Sequence, residues 1–403
     1  MKTIKVILSV SVLAACCLRN AEAQSFSSGS DGFHGSLNIT AATTLDLPPD
    51  GKFRCTSIFV SPSGTLKFKR NALNTPVYLL ATSNVVIQGA IIVAGEDGVS
   101  GGAGLGGPGG FDGGTASMGV GTPAGDGLGP GKGKGGDTSG DFATAPGSAS
   151  YGSEPSGGPG LTNRGVRYGN TFLVPIVGGS GGGGATESGG GGGWGGGGGG
   201  GALMIASDTE IVLSGLLLSN GGNGFRPESQ ASSGGGSGGA IRIVAPKVSG
   251  NGTVHVGGGI AGFTSFGSYS SGSGRIRIDT LDRSAMSSMS FIGAISIGRF
   301  MVAFPAIIPR LDIIEAAGTL IPQGTNSDVN VTLPLGSPTN QTVRIQARDF
   351  QGIVPISVVV TPENGPSTTY AAEISMGAGP VAETNLTVAI PPNTVTRINA
   401  WTR

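Results

Sequence analysis

Gly239-Ala-Ile-Arg-Ile-Val-Ala245 is one copy of a short motif that recurs along this chain. The related copies are Pro76-Val-Tyr-Leu-Leu-Ala-Thr82, Gly201-Ala-Leu-Met-Ile-Ala-Ser207 and Gly274-Arg-Ile-Arg-Ile-Asp279. A second short apolar strand follows three of the copies, at 85–87, 210–213 and 253–256. Short strands that recur in this way are typical of stacked coils, each of which buries its apolar face only against its neighbours. The motif predicts an all-β fold in which residues 36–303 form a parallel β-helix or β-solenoid.

Alternation within the motif predicts which side chains face inward. Successive side chains of a strand point to opposite faces, so residues of one parity share a face. The predicted inward ladder contains Leu203, Ile205, Ile241 and Ile243. Met204, Arg242 and Arg277 have the other parity and are predicted to line an outer face.

Residues 98–200 form a long glycine-rich loop insertion between two copies of the motif. Gly101, Gly104, Gly107, Gly110 and Gly113 keep a period of three, as in collagen or a polyglycine helix. The period changes to every second residue between 125 and 135, which argues against a collagen triple helix. The glycine runs at 178–184 and 189–200 are either mobile or packed backbone to backbone, because ordering them costs about 1–2 kcal/mol per residue.

Residues 304–403 have a different composition, with less glycine and several short apolar strands. The predicted strands are 311–315, 329–333, 342–347, 356–361, 369–374, 385–390 and 396–401. Seven short strands separated by turns indicate an immunoglobulin-like or fibronectin-type β-sandwich without a disulfide.

The N-terminus predicts export. Residues 1–23 have a basic start, a short apolar stretch and the small-x-small cleavage site Ala21-Glu-Ala23, and residues 24–35 are expected to be a flexible leader. Leu13-Ala-Ala-Cys16 also resembles a bacterial lipobox, in which Cys16 would carry a lipid anchor. Both alternatives place the protein outside the cytoplasm of a bacterium, secreted or at the cell surface.

Charge and cysteine content narrow the function classes. Lys+Arg and Asp+Glu are 24 each, and charged residues are 12% of the chain. This balance argues against binding to nucleic acid or electrostatic docking on anionic lipid. Cys55 is the cysteine left after cleavage, so no internal disulfide is expected. No segment after the signal has 18 consecutive apolar residues, so membrane contact is expected only through the lipid anchor.

Several longer stretches carry a family resemblance. They are Asn74-Thr-Pro-Val-Tyr-Leu-Leu-Ala-Thr82, Gly107-Pro-Gly-Gly-Phe-Asp-Gly-Gly114, Tyr168-Gly-Asn-Thr-Phe-Leu-Val-Pro-Ile-Val177, Gly234-Gly-Gly-Ser-Gly-Gly-Ala-Ile-Arg-Ile-Val244 and Gly272-Ser-Gly-Arg-Ile-Arg-Ile278. Over roughly residues 36–280 the chain resembles uncharacterised exported glycine-rich β-solenoid proteins of environmental bacteria, some with a C-terminal Ig-like sandwich. The resemblance implies export and architecture, and it implies no functional residues.

Four residues are candidates for ligand contact. Trp194 and Tyr168 are loop aromatics that could stack on sugar rings, or instead pin the loops to the coils. Arg242 and Arg277 could form a basic ladder for acidic glycans, or instead be solvated charges that prevent aggregation.

Aspartates in the glycine-rich turns raise the alternative of calcium binding. They are Asp97, Asp112, Asp126, Asp137 and Asp141. The segment 106–112 resembles a calcium repeat but does not iterate, and turns favour aspartate in any case. We therefore expect no cofactor.

The sequence is poor in catalytic groups. It has two histidines and no paired carboxylates on the repeated strands. The leading hypothesis is a non-enzymatic exported surface or extracellular-matrix protein, an adhesive, structural or glycan-binding scaffold whose partners are polysaccharide or cell-surface components. A polysaccharide lyase or glycoside hydrolase of the β-helix type is the alternative. Surface binding through glycine-rich polyproline-like bundles is a third hypothesis, which the broken three-residue period weakens.

Overall fold

The chain forms an all-β structure with parallel sheets first and antiparallel sheets at the C-terminus. The computed structural model describes residues 26–119, 122–136, 145–156, 161–186, 193–225, 233–264, 267–324, 329–363 and 365–402. Within these ranges, no helix has the length and apolar character needed to cross a membrane. One 3-10 turn occurs at Leu161–Asn163.

Two parallel sheets contain the repeated motif. The first sheet contains β1 (Ser36–Ile39), β3 (Lys52–Cys55), β4 (Ser57–Val60), β6 (Val77–Ala81), β7 (Val85–Ile87), β9 (Ala202–Ser207), β10 (Glu210–Leu213), β12 (Ala240–Ser249), β16 (Arg275–Asp282) and β18 (Ala294–Gly298). The second contains β2 (Ala42–Asp46), β5 (Thr65–Lys69), β8 (Ala90–Ile92), β11 (Leu216–Leu218), β13 (Thr253–His255) and β17 (Ser290–Ile292).

The chain visits these strands in a repeating order that produces coils. The first sheet has two runs, β1-β4-β7-β10-β12 and β3-β6-β9-β12-β16-β18, which meet in the long strand β12. Each coil places one strand in the β1 run, the next in the second sheet and the next in the β3 run. Each strand therefore pairs in parallel with the equivalent strand of the coil before it.

The predicted inward ladder is confirmed. Leu203 pairs with Ile241, and Ile205 pairs with Ile243, in adjacent coils. All four side chains are buried in the main hydrophobic cluster of the coils. Because the register is one residue for one residue, apolar residues of one parity stack on each other through the whole set of coils.

The glycine-rich insertion is a folded bundle, which extends beyond the predicted limits of 98–200. Three successive coils leave the second sheet, enter the bundle and return to the β3 run at β9, β12 and β16. Its segments are 93–99, 102–107, 110–117, 123–129, 131–136, 145–151, 163–168, 178–185, 193–201, 219–225, 233–239, 256–260 and 270–274. The described glycine runs of the insertion are therefore packed backbone to backbone, which is the second of the two alternatives given for them.

Backbone hydrogen bonds join the bundle segments at every third residue. The amides of Gly101, Gly104 and Gly107 donate to the carbonyl oxygens of Gly193, Gly196 and Gly199. A repeat of three residues with bonds to neighbouring segments is expected of polyproline II helices, which make no internal hydrogen bonds. The hydrogen bonds thus keep the three-residue period even between residues 125 and 135, where the spacing of glycine in the sequence no longer shows it.

Three segments lie at the centre of the bundle: 178–185, 193–201 and 233–239. Segment 193–201 is surrounded by six described segments, namely 93–99, 102–107, 110–117, 178–185, 219–225 and 233–239. Every backbone N–H from Gly193 to Gly201 donates to one of these neighbours. The other two central segments are enclosed in the same way, so the segments pack in a hexagonal array.

Residues 26–35 pack along the coils, although a flexible leader was expected. The Ser28 hydroxyl donates to the Ala81 carbonyl at 2.9 Å, and the Ser30 hydroxyl donates to the Cys55 carbonyl at 2.7 Å. These bonds fix the described part of the leader to the C-terminal ends of β6 and β3.

The C-terminal sheets enclose a separate core. One sheet has the order β20-β19-β21-β24 and the other β23-β22-β25. The strands are β19 (Arg310–Ala316), β20 (Thr319–Leu320), β21 (Asn340–Arg348), β22 (Ile353–Pro362), β23 (Thr368–Ser375), β24 (Val381–Ala389) and β25 (Thr396–Thr402). Apolar residues of both sheets meet in one cluster. The strand predicted at 329–333 is absent from this described segment, and the hairpin β14 (Ile260–Thr264) and β15 (Gly267–Ser270) in the bundle was not predicted.

Candidate binding surface

The outer ladder of the β3 run has the register that the sequence predicts. Met204 pairs with Arg242, and Arg242 pairs with Arg277, in successive coils. The prediction that these side chains point away from the main coil core is therefore correct.

The prediction that the two arginines reach solvent is corrected by the structure. Arg242 is 1% exposed and Arg277 is 7% exposed. Both pair with the fully buried Asp279, at 3.4 Å and 2.6 Å respectively. Arg242 also donates to the backbone carbonyl of Val302 at 2.7 Å. These charges hold the covering segment 299–304 on the coils and are not available to a glycan.

Burial dominates the electrostatics of this ion-pair cluster. It lowers the pKa of the Arg242 guanidinium from its ordinary value, and the Asp279 carboxylate opposes that change. Phe300 and Phe172 lie over the guanidinium groups of Arg242 and Arg277, at 5.5 Å and 5.0 Å from ring centroid to guanidinium carbon. The terminal guanidinium nitrogens of both arginines are paired within the protein, while the Arg242 Nε atom is buried without a partner among the described residues. The internal pairing indicates a structural role.

Tyr168 also has a structural position. Its ring stacks on Tyr151 with centroids 4.3 Å apart, and its hydroxyl donates to the Gly178 carbonyl at 2.6 Å. Burial raises the pKa of this hydroxyl well above its ordinary value. Tyr168 thus attaches its own segment to neighbouring segments of the bundle. This is a structural role, like the second of the two roles considered for the loop aromatics.

Trp194, like Tyr168, stays partly accessible. It lies near the end of central segment 193–201 and is half-buried, unlike the buried glycines that follow it. Its ring stacks on Phe225, with centroids 4.9 Å apart and an angle of 26° between the planes. Its indole nitrogen is buried without a hydrogen-bond partner in the described part of the chain.

We call the end of the bundle that carries Trp194 the distal end. The turn 99–102 lies there, because Val99 accepts from Gly195 while Gly101 donates to Gly193. The described residues on both sides of 120–121, 137–144, 187–192 and 226–232 also lie at this end. Val99 and Met118 expose 53% and 77% of their surface there. The opposite end has the turns 107–110 and 129–131 and the longer connection 169–177.

The remaining predicted residues have other positions. Cys16, Asp137 and Asp141 lie outside the described residues. Asp97 bonds to Asn223, Asp112 to Arg70, and Asp126 to Lys132. Among the described residues, no cluster of three metal-binding side chains occurs.

Comparison of the chain with protein-family models, with curated proteins and with solved structures gave no match. The candidate surface therefore rests on geometry. Sequence reasoning missed Phe225 as the stacking partner of Trp194, since 31 positions separate the two residues in the sequence. The signal that was present is a single tryptophan within a run of glycine.

Proposed function

We propose that this protein is a non-enzymatic exported scaffold of the bacterial surface or extracellular matrix, which binds polysaccharide or a cell-surface component. In this proposal the coils are a β-solenoid, the C-terminal sheets are an Ig-like sandwich, and the distal end of the bundle is the binding end. The enclosure of three glycine segments by six neighbours each is the observation that carries the proposal.

Enclosure supports a display role because it makes the bundle rigid. Buried backbone groups that are all hydrogen-bonded open only when the surrounding structure opens. Binding residues are often found on loops that a rigid scaffold positions, since ordering them in advance lowers the entropy cost of binding. The half-buried Trp194 and the exposed Val99 and Met118 at the distal end fit this arrangement.

Incubation of the purified protein with soluble and insoluble polysaccharides tests the proposal. We expect retention on at least one polysaccharide and no release of new sugar ends. Release of sugar ends would contradict the proposal and favour the β-helix enzyme. Absence of both would favour a purely structural role.

Substitution of Trp194 tests the position of the binding end. Aromatic pairs contribute about 0.5–1.5 kcal/mol beyond their buried area, so we expect Trp194→Ala to weaken retention by up to about tenfold. Phe33→Ala is the matched control, because Phe33 is a 75% exposed aromatic residue in the leader. Equal retention by the two variants would place the binding surface elsewhere.

A further inference from the structure

A polar cleft lies where coils, bundle and C-terminal sheets meet. Its volume is about 260 Å³. The turn that contains Arg70 and Asn74 forms one wall, Phe111 and Asp112 of the bundle form another, and Arg397 and Asn399 of β25 form the third. The cleft is of the size of a single sugar ring, which is below the usual range of pockets for drug-sized ligands.

Two walls of the cleft are fixed by hydrogen bonds within the protein. The Asn74 amide donates to the Gly110 carbonyl at 2.7 Å and accepts from the Gly109 amide at 3.0 Å. Arg70 forms a two-pronged pair with Asp112, with N–O distances of 2.5 Å and 3.2 Å. These walls are therefore formed before any ligand arrives.

The third wall carries polar groups that are not used by the protein itself. Within the described chain, the side chains of Arg397 and Asn399 make no hydrogen bond or ion pair, and the Arg397 residue is exposed. Among the described residues, the Asp112 Oδ2 atom accepts only the longer of the two bonds from Arg70. The cleft thus offers free donors on one side and a carboxylate with spare acceptor capacity on the other.

The charge of the lining favours an anion that also carries hydroxyl groups. Arg70 and Arg397 bring two positive charges and Asp112 one negative charge, so the lining is positive. Arginine binds carboxylates in a planar, two-pronged geometry, while carboxylate and amide side chains bond to hydroxyls. Phe111 adds an apolar ring, which itself packs edge-on against Trp401 with centroids 5.2 Å apart.

We propose that this cleft binds one uronic acid residue of an acidic polysaccharide. The sugar carboxylate pairs with Arg397, and its hydroxyls bond to Asp112 and Asn399. This inference rests on the proposed function and names the ligand class of that scaffold, at a second contact point away from the distal end. A ligand bound in this cleft bridges the bundle and β25.

Calorimetric titration of the full chain tests the inference. The two probes are trigalacturonate and, as its neutral counterpart, the trisaccharide of galactose. Hydrogen bonds to charged groups contribute about 1.5–3 kcal/mol, so we expect Arg397→Ala to weaken trigalacturonate binding by roughly tenfold or more. Arg397→Gln and Asn399→Ala are second variants that keep more of the surface polar. Arg283→Ala is the control, since Arg283 is exposed and makes no ion pair within the described chain.

We expect the parent protein and Arg283→Ala to bind trigalacturonate more tightly than the neutral sugar. We expect the Arg397 variants to lose this difference. Absence of trigalacturonate binding, equal binding of both sugars, or unchanged binding in the Arg397 variants would overturn the inference. If polysaccharide retention depends on Trp194 while Arg397→Ala changes nothing, the scaffold stands and the cleft proposal fails. Release of sugar ends contradicts the scaffold whatever the cleft binds.

Discussion

At the scale of single residues, the central glycines are required because a Cβ atom would have no space. A Cβ built on Gly197 would lie 2.1 Å from the Gly222 carbonyl oxygen, and one on Gly199 would lie 2.0 Å from the Gly179 carbonyl oxygen. Both contacts involve backbone atoms of neighbouring segments, which cannot move aside as a side chain does. Glycine is needed here for close approach and not for a left-handed backbone.

Substitution of Gly197 by alanine tests this requirement. Overpacking costs about 1–3 kcal/mol in well-packed interiors, and we expect Gly197→Ala to lower the free energy of unfolding by that amount or more. Urea denaturation followed by circular dichroism measures the change. Gly119→Ala is the control, because a Cβ at Gly119 meets nothing within 4 Å, and equal destabilisation by both would contradict the packing account.

The buried carboxylate of Asp279 pairs with two arginines at once. Removal of one partner from a buried ion pair costs about 3–5 kcal/mol, because the remaining charge is left without compensation. Asp279→Ala leaves both Arg242 and Arg277 without their carboxylate partner, so the midpoint temperature of thermal unfolding should fall sharply.

Asp31→Ala is the control for Asp279→Ala. Asp31 pairs with Arg54 at 3.4 Å on the surface, with 59% of its side chain exposed. Surface pairs contribute about 0–1 kcal/mol, so this variant should unfold close to the parent protein. A similar decrease in the unfolding temperature of both variants would show that burial of the ion-pair cluster does not determine its contribution to stability.

The orientation of these arginines could be predicted from the sequence, whereas their burial could not. Strand parity fixes the face of Arg242 and Arg277, and this face is the one observed. The cover comes from residues 299–304, which follow the last coil and fold back over the β3 run. A local pattern within one strand carries no information about a segment that returns from elsewhere.

At the scale of elements, the inward ladder joins each coil to the next. Ile205 of β9 lies between Leu79 of β6 and Ile243 of β12, and all three are fully buried. Each coil depends on its neighbours to bury this side chain, as in other repeat architectures. Loss of one ladder residue should therefore affect coils on both sides.

Ile205→Ala tests the ladder. Large-to-small substitutions of this kind in a core cost about 2–5 kcal/mol, because apolar contacts are lost and a cavity is left. We expect a decrease of this size in the free energy of unfolding from urea denaturation. Leu335→Ala, at a position 96% exposed, should leave it unchanged within about 0.5 kcal/mol.

The coils and the bundle differ in how well the sequence predicts them, for a physical reason. Alternating apolar residues indicate a strand and its inward face, so four copies of the motif were enough to predict the coils. A glycine segment enclosed on all sides has no side chain whose spacing could show a direction. The clearest regular signal was the period of three from Gly101 to Gly113, which lies in segments at the rim and not at the centre.

At the scale of the whole molecule, the C-terminal sheets dock on the bundle through a buried acid. Asp126, which is 5% exposed, accepts from the Ser367 hydroxyl at 2.6 Å and from the Lys132 ammonium at 3.2 Å. Phe111 and Trp401 meet in the same interface. The cleft beside these contacts exists only while the two parts stay docked.

Ser367→Ala tests the docking. The variant removes a hydrogen bond to a charged group, worth about 1.5–3 kcal/mol, so the undocked population should rise by roughly tenfold or more. Small-angle X-ray scattering should show a larger radius of gyration. Ser375→Ala, on the exposed side of β23, is the control, and an unchanged radius in both variants would contradict the docking role of Asp126.

Amide hydrogen exchange across 193–201 and 233–239 tests whether the glycine segments form a rigid bundle. If these glycine runs are enclosed segments of a rigid bundle, their amides should exchange as slowly as those of β9 and β12, into which they lead. The exposed turn at 334–337 should exchange quickly in the same sample. Exchange of the glycine runs at the rate of that turn would show that they are linkers, and the proposed scaffold would lose its basis.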